Sequence, residues 1–361
     1  MKRVGFISLV YFCMWICACV PDGSLKHRHT STPAVRDDNW IVDLPQNQNI
    51  DSAGLDAAYE MLHSPDAFHN ALALLVARNN RLVFETYTRT EADRDRLHHI
   101  QSSTKSFTSL VMGILQGRGY FTDLNATMAS YWPEPFENEP QKSAITLRHL
   151  LTMRSGIDFN NDDFSVEMYV DGPKNPVSYI LSKPMYAAPG QQFYYRDADP
   201  HLLSALITHV TGKTISMWAS KQLFAPLGIQ SYFWGEDAAG NTMGASGLFL
   251  KPRDLLKAGQ LLLDNGVANG RQVVPKEWIA QATTKQSEAK SIGFDFGYYY
   301  WMVPEYGAIS TWGHGGNFIF VAREHNVVML LLSMPDTDDK RIGSKLPDFL
   351  PVVDVILKAC R

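Results

Sequence analysis

Ser102 and Lys105, in the stretch HHIQSSTKSFTSLVMGIL, stand three residues apart. On a helix that spacing puts hydroxyl and amine on one face with Cβ atoms roughly 5–6 Å apart, within reach for a nucleophile and its base. A serine hydroxyl is a poor nucleophile at neutral pH, and an amine accepts its proton only where burial or nearby positive charge keeps that amine partly neutral. Phe107, Leu110, Val111, Ile114 and Leu115 recur at helical spacing behind the pair. The helix should therefore sink into a core with its first turn at a cleft, and Gly117 supplies its stop. A serine at that N-terminus also meets unpaired backbone N–H groups and a dipole that favour an oxyanion. The motif needs partners, because a second S-x-x-K, Ser287 to Lys290 in KQSEAKSIGF, has no apolar helix behind it and reads as an exposed loop.

The elements that must position Ser102 come next. The chain has 361 residues, 45% hydrophobic and 19% charged, enough for one large domain or two lobes. A net charge of −4 gives no basic footprint for nucleic acid. MKR followed by VGFISLVYFCMWICACV has the charged start and apolar core of a secretory signal over residues 1–19. The end of that run resembles a bacterial lipoprotein box. Cys19 is thus expected to be lipidated, in an exported, periplasmic or cell-envelope protein held to the membrane by its lipid; cleavage without lipidation and an uncleaved anchor are the alternatives. Cys360 is the only cysteine in the body of the chain, so no disulfide framework exists. Residues 20–50 are polar and aperiodic and read as a linker or N-terminal arm, in which His27 and His29 lack further ligands for a metal.

Residues 51–361 read as one catalytic domain of α/β (α+β) class. A short helix at 51–64 precedes NALALLVARNNRLVFETYTR, two β-rich runs around the hairpin signal Asn79-Asn80. Residues from about 120 to 240 carry helical patterns and read as an inserted all-helical lobe. His149, His201 and His209 in this block read as structural or surface histidines, since no H-E-x-x-H or carboxylate cluster accompanies them. Later, KPRDLLKAGQLLLDNG and KEWIAQAT read as helices, GYYYWMV, AISTW, NFIFVAR and NVVMLLLSM as antiparallel strands, and 346–360 as a closing helix. The early hairpin and the late strands then share one antiparallel sheet flanked by helices, with the cleft between sheet and lobe.

Two more stretches carry chemistry. Tyr195, in PGQQFYYRDADPHLLSALI, precedes a helix in a polar loop, and His314-Gly315-Gly316, in TWGHGGNFIFV, sits at the start of a strand, where glycines let backbone approach a ligand. Together the three stretches resemble the serine β-lactamase and penicillin-recognising superfamily. The likeness is to its class C β-lactamase-like branch of esterases, peptidases and 6-aminohexanoate-dimer hydrolase-like enzymes. S-x-x-K is Ser102 to Lys105, the Y-x-N position is Tyr195-Arg196-Asp197, and the K-T-G position is His314-Gly315-Gly316. ITLRHLLTMRSGI and GASGLFLKPRDLLKAGQLLLDNG are family-like connectors.

The resemblance implies a β-lactamase/transpeptidase-like fold and a serine hydrolase that works through an acyl-enzyme on a small ester or amide, without cofactor or metal. It implies Ser102 as nucleophile, Lys105 as its base, Tyr195 as proton relay, the N–H groups of Ser102 and Asn317 as oxyanion hole, and His314 as a substrate-orienting group. Two departures bear on this. Asp197 stands for the usual Asn, and a carboxylate beside Lys105 favours its charged form, so Arg196 matters as the neighbour that could pair with it. His314 stands for the lysine that holds a substrate carboxylate, which points away from efficient β-lactamase action and toward esterases and amide hydrolases. A β-lactamase or D,D-peptidase, and a non-catalytic binder or sensor of cell-wall peptides, remain the alternatives. An α/β-hydrolase is excluded, because Gly244-Ala245-Ser246-Gly247-Leu248 is not a G-x-S-x-G elbow.

Overall fold

The structure is a computed structural model that describes residues 32–64, 68, 70–161, 175–290, 292–334 and 345–361. The signal-like segment, Cys19, His27 and His29 lie outside the described residues. Among the described residues no helix is long and apolar enough to cross a membrane.

Among the described residues fourteen strands are numbered in chain order. They are β1 (Ile41–Val42), β2 (Ala71–Arg78), β3 (Arg81–Tyr87), β4 (His98–His99), β5 (Phe233–Trp234), β6 (Leu248–Leu250) and β7 (Val267–Ala268). The others are β8 (Arg271–Gln272), β9 (Ser287–Ala289), β10 (Phe294–Phe296), β11 (Trp301–Val303), β12 (Ala308–Ser310), β13 (Phe318–Ala322) and β14 (Val327–Ser333). Nine of them form one sheet in the order β1-β3-β2-β14-β13-β12-β11-β10-β9. The β2–β3 hairpin turns through Asn79 and Asn80, both left-handed (φ 49° and 63°), the backbone a two-residue hairpin turn requires. The last strands return beside the first, β14 pairing antiparallel with β2 from Val327↔Arg78 onward. All eight residues of β2 and all seven of β14 are buried, so helices cover both faces at the sheet centre.

Strand alternation assigns those helices. Phe318 and Phe320 of β13 meet Phe349 of the closing helix Leu346–Lys358, the first pair stacked at 5.4 Å. That helix packs on α1 (Ser52–Leu62), where a Cβ on Gly54 would lie 2.4 Å from Ala359 Cβ. On the opposite face, Ile319 and Val328 meet Gly259 of helix Pro252–Leu263, where an added Cβ would sit 2.7 and 2.3 Å from their methyls.

Residues 33–50 run along the sheet as an arm. β1 adds to β3 in parallel, and the buried Trp40 donates its indole N–H to the Arg253 carbonyl at 3.0 Å. Arg253 ties this arm to the core: its guanidinium donates to Asp38 (2.8 Å), to the Ala34 carbonyl (2.8 Å) and to Glu85 (2.8 Å). The Glu85 side chain has no exposed area and also accepts from Arg94 (3.2 Å) and Tyr87 (2.5 Å).

Between β3 and β5, apart from the short β4, the described residues form helices and turns, among them Leu147–Leu151, Pro176–Leu181 and Ala198–Thr211. The three histidines here are structural or surface residues, as expected. His149 closes a capping box with Thr146, His201 meets Asp237 at 2.9 Å in a fully buried pair, and His209 stacks on Trp132 at 4.4 Å.

Two expectations change. Ser287 is buried in β9 at the sheet's end, with its hydroxyl donating to the Thr152 carbonyl (3.2 Å), so the second S-x-x-K starts on an edge strand, with only Lys290 in the exposed turn after it. In GYYYWMV only Trp301–Val303 is strand. The tyrosines before it turn instead (Tyr299 φ 68°), because their polar groups are used on α2 (Thr104–Gly117) and on the helix at 147–151. Tyr299 O accepts from Ser106 (2.7 Å), Tyr300 OH donates to Ser106 O (3.2 Å), and Tyr299 OH donates to Leu150 O (3.0 Å).

Arg253→Met removes the main cation from a carboxylate that stays buried, and breaking such a pair is costly. Urea unfolding should show a loss of about 3 kcal/mol, whereas a loss below about 0.5 kcal/mol would contradict the role given to Glu85.

Candidate active site

β4 pairs with β6, and Ile100 N–H donates to Leu248 O at 3.0 Å, which fixes how the chain enters α2. Gln101 then takes a left-handed backbone (φ 54°), a conformation that costs a non-glycine residue energy and is held only where surroundings enforce it. The turn Gln101–Ser103 leads into α2 and leaves Ser102 half-buried at its head. Next to it, Ser103 Oγ donates to Thr311 Oγ1 (3.0 Å) and Asn317 O (2.9 Å), anchoring this turn to the segment before β13.

One turn on, Lys105 is buried with 3% of its side chain exposed. Its Nζ donates to Ser102 Oγ at 2.9 Å, to Asp197 Oδ1 at 2.7 Å and to Ala245 O at 3.1 Å. An ammonium has three hydrogens, and each has an acceptor here. Burial by itself pulls the Lys105 pKa down, but the Asp197 carboxylate, then Tyr195, more than offset it and hold the amine above the ordinary lysine value. The Lys105–Ser102 hydrogen bond is therefore donated by the lysine. The Asp197 carboxylate favours the charged form of Lys105, the form in which the amine donates to Ser102 Oγ.

Asp197 is placed by Asn161, whose Oδ1 accepts the Asp197 N–H at 2.7 Å and whose Nδ2 reaches Asp197 Oδ1 at 3.4 Å. Arg196 does not pair with it. Its guanidinium lies fully buried, donating to Tyr194 O (2.9 Å), Tyr186 OH (2.9 Å) and Ile157 O, and 3.9 Å from Asp199. The reason is local: Arg196 turns to the opposite side of the segment from its neighbours Tyr195 and Asp197, both of which face Lys105. Burial pushes Asp199 up to about 6, with Arg196 and Ser155 opposing that shift.

Tyr195 packs on Trp301 (5.6 Å between ring centroids) and Phe296 (6.4 Å), with the Lys105 Nζ 4.9 Å from the centre of its ring. His314 is exposed at the tip of a tight turn that Gly315 (φ 81°) and Gly316 (φ 101°) make possible, not on the strand itself. Gly313 and Asn317 close that turn with reciprocal bonds, Gly313 N–H to Asn317 O at 2.8 Å and Asn317 N–H to Gly313 O at 3.1 Å. The Asn317 N–H expected in the oxyanion hole is thus engaged within the turn. The Asn317 side chain acts as a staple, donating to His314 O and accepting from Ser333 N, each at 3.0 Å.

Sequence reasoning missed Asn161, His99 and the Ala245 carbonyl. The glycines of GASG were their signal: a Cβ on Gly244 would sit 2.1 Å from Pro200 O, so this segment passes hard against the start of helix Ala198–Thr211. Thr108 Oγ1 holds Gly244 O (2.8 Å), and His99 Nε2 accepts Gly247 N–H (3.0 Å). His99 is lowered to about 4 by burial, so it stays neutral and can accept.

The model of the family described as Beta-lactamase matches residues 67–342. The chain belongs to the beta-lactamase family. The 6-aminohexanoate-dimer hydrolase of Paenarthrobacter ureafaciens is 26% identical over 351 residues, covering 89% of this chain and 84% of that protein. A penicillin-binding protein homologue from Caulobacter crescentus superposes with a TM-score of 0.69 at 14% identity over 91% of this chain and all (100%) of the other. A family VIII carboxylesterase gives 0.66 at 17% identity over 85% and 97%. At such identities the two structures share the fold. Within this beta-lactamase-family hydrolase, the ion pair of Lys105 with Asp197 is the feature that sets the charge of the site.

Asp197→Asn removes the anion and leaves burial acting on Lys105 alone, so the amine should lose its proton at lower pH. In that variant the alkaline limb of the kcat/KM profile for an activated ester should move down by roughly one unit or more. An unchanged limb would contradict the assignment.

Proposed function

We propose that the protein is a serine hydrolase that cleaves small esters or amides through an acyl-enzyme on Ser102. The observation that carries this reading is the Ser102–Lys105–Asp197 chain of hydrogen bonds, 2.9 and 2.7 Å long, at the head of α2 beside Tyr195. In this reading the Lys105 ammonium donates to Ser102 Oγ and stabilises the developing alkoxide, while Tyr195 relays the proton, its oxygen accepting the serine hydrogen as its own hydroxyl hydrogen passes to the leaving-group atom. Ser102 Oγ bonds to the carbonyl carbon, and the negative charge moves onto the carbonyl oxygen at the N-terminus of α2, where helix dipole and backbone donors favour it. The carbon–leaving-group bond then breaks, and the alcohol or amine departs with the proton that Tyr195 has relayed to it. Water repeats the sequence to release the acid.

Two comparisons support an ester or amide over a β-lactam: one relative is named for a dimer of 6-aminohexanoate and one structural neighbour is a carboxylesterase. His314 on an exposed turn also offers no fixed cation for a substrate carboxylate at the K-T-G position. One observation favours a second reading, a binder without turnover: all three Lys105 hydrogens are already bonded, so proton transfer depends on Tyr195 alone.

Intact mass spectrometry after mixing with p-nitrophenyl butyrate or benzylpenicillin separates the two. The ester should add one butyryl group to the wild type and none to Ser102→Ala, with ester turnover in that variant falling about 10³-fold or more. No adduct and no turnover with either compound would leave the binding reading standing.

A further inference from the structure

The segment that carries Tyr195 is fastened from behind by three fully buried polar side chains, Ser155, Arg196 and Asp199. Asp199 stands in the first turn of helix Ala198–Thr211 and accepts twice from one residue. Ser155 Oγ donates to its Oδ1 at 2.5 Å and Ser155 N–H to its Oδ2 at 3.3 Å. Arg196 Nε lies 3.9 Å from the same Oδ1, and its guanidinium donates to Ser155 Oγ (3.4 Å) and to Ile157 O. The Ile157 N–H donates to Ser155 Oγ at 3.3 Å, so this hydroxyl gives its one hydrogen to Asp199 and accepts two, its full capacity. The loop at 153–157 reaches these groups because Met153 (φ 55°) and Gly156 (φ 82°) turn it through left-handed backbone.

These contacts bracket Tyr195. On one side, Tyr194 N–H donates to Met153 O at 3.0 Å and Tyr194 O accepts from Arg196 Nε at 2.9 Å; on the other stands Arg196 itself. Held between them, the Tyr195 ring meets Trp301 at 5.6 Å and has Lys105 Nζ 4.9 Å from its centre.

The groups that face Asp199 are Arg196 on its own segment, Ser155 on the loop and Tyr299 on the turn before β11. Tyr299 donates its hydroxyl hydrogen to Leu150 O (3.0 Å), and burial, then the Asp199 carboxylate and Tyr195, push its pKa well up, so it stays neutral. An arginine stays charged in a protein. Asp199 is thus the member of this group whose charge changes in the ordinary pH range, with burial raising it to about 6 against Arg196 and Ser155. Protonation would leave the Arg196 cation buried beside a neutral acid, and a buried charge that loses its partner is strongly destabilising.

We propose that Asp199 is a positioning residue for Tyr195: as a carboxylate it holds Arg196 and the 153–157 loop together behind the Tyr195 segment, and in acid this clamp loosens and the proton relay fails. The inference rests on the serine-hydrolase reading, in which Tyr195 relays the proton.

The test follows kcat and KM for p-nitrophenyl butyrate between about pH 4.5 and about pH 8, with circular dichroism to check that the fold holds. In the wild type kcat should fall on the acid side of a midpoint at about 6, while KM stays within about 2-fold. Ser155→Ala removes a bond that favours the ionised Asp199, so its midpoint should move up by roughly half a unit or more. Asp199→Asn has no group to titrate there, so the limb should vanish and kcat at neutral pH should be lower by about 10-fold or more. Where that variant does not fold, the Ser155→Ala midpoint decides. A wild type without this limb, a midpoint unmoved in Ser155→Ala, or a limb retained in Asp199→Asn overturns the inference and leaves the hydrolase reading intact. No turnover and no adduct on Ser102 overturns the hydrolase reading and this inference with it.

Discussion

A lysine ammonium buried to 97% organises this molecule. Taking such an ion out of water costs several kcal/mol unless acceptors replace its hydration. The three acceptors of Lys105 come from three distant parts of the chain: Ser102 on its own helix, Asp197 at the start of helix Ala198–Thr211, and Ala245 in the segment before β6. The ion is stable only when the helical block and the segment before β6 both close on α2. Secondary contacts serve the same end, with Asn161 gripping Asp197, Thr108 holding Gly244 and His99 holding Gly247.

What could be read from the sequence was what periodicity and punctuation encode. The helix behind Ser102, the Asn79-Asn80 hairpin and the strands around β13 and β14 follow from apolar spacing and turn residues, and the fold class with them. The resemblance across three motifs likewise agrees with the family of the chain. Side-chain direction was less legible. Arg196 and Asp197 are neighbours in sequence, yet Asp197 faces Lys105 and Arg196 faces Asp199, and only the conformation of that segment decides it. Backbone pairing was hidden too: nothing in GHGGN says that Gly313 and Asn317 bond each other and engage the Asn317 N–H. Ser287 was misread because a three-residue edge strand leaves no period to detect.

The Asp in the Y-x-N position changes the electrostatics of the cleft. An Asn there would be neutral and able to donate; Asp197 only accepts and brings a negative charge that cancels that of Lys105. The serine then works beside a neutral pair, and its activation relies on a donated hydrogen bond and on Tyr195.

The protonation state of Lys105 is the most direct point of attack. Nitrogen-15 NMR of protein labelled at lysine Nζ, with Lys105→Arg to assign the resonance, follows it through a pH titration. The account predicts that the Lys105 signal keeps its ammonium shift over the whole range in which the protein stays folded. A signal that titrates with a midpoint near neutrality would show a neutral lysine ready to act as base, and would contradict the account.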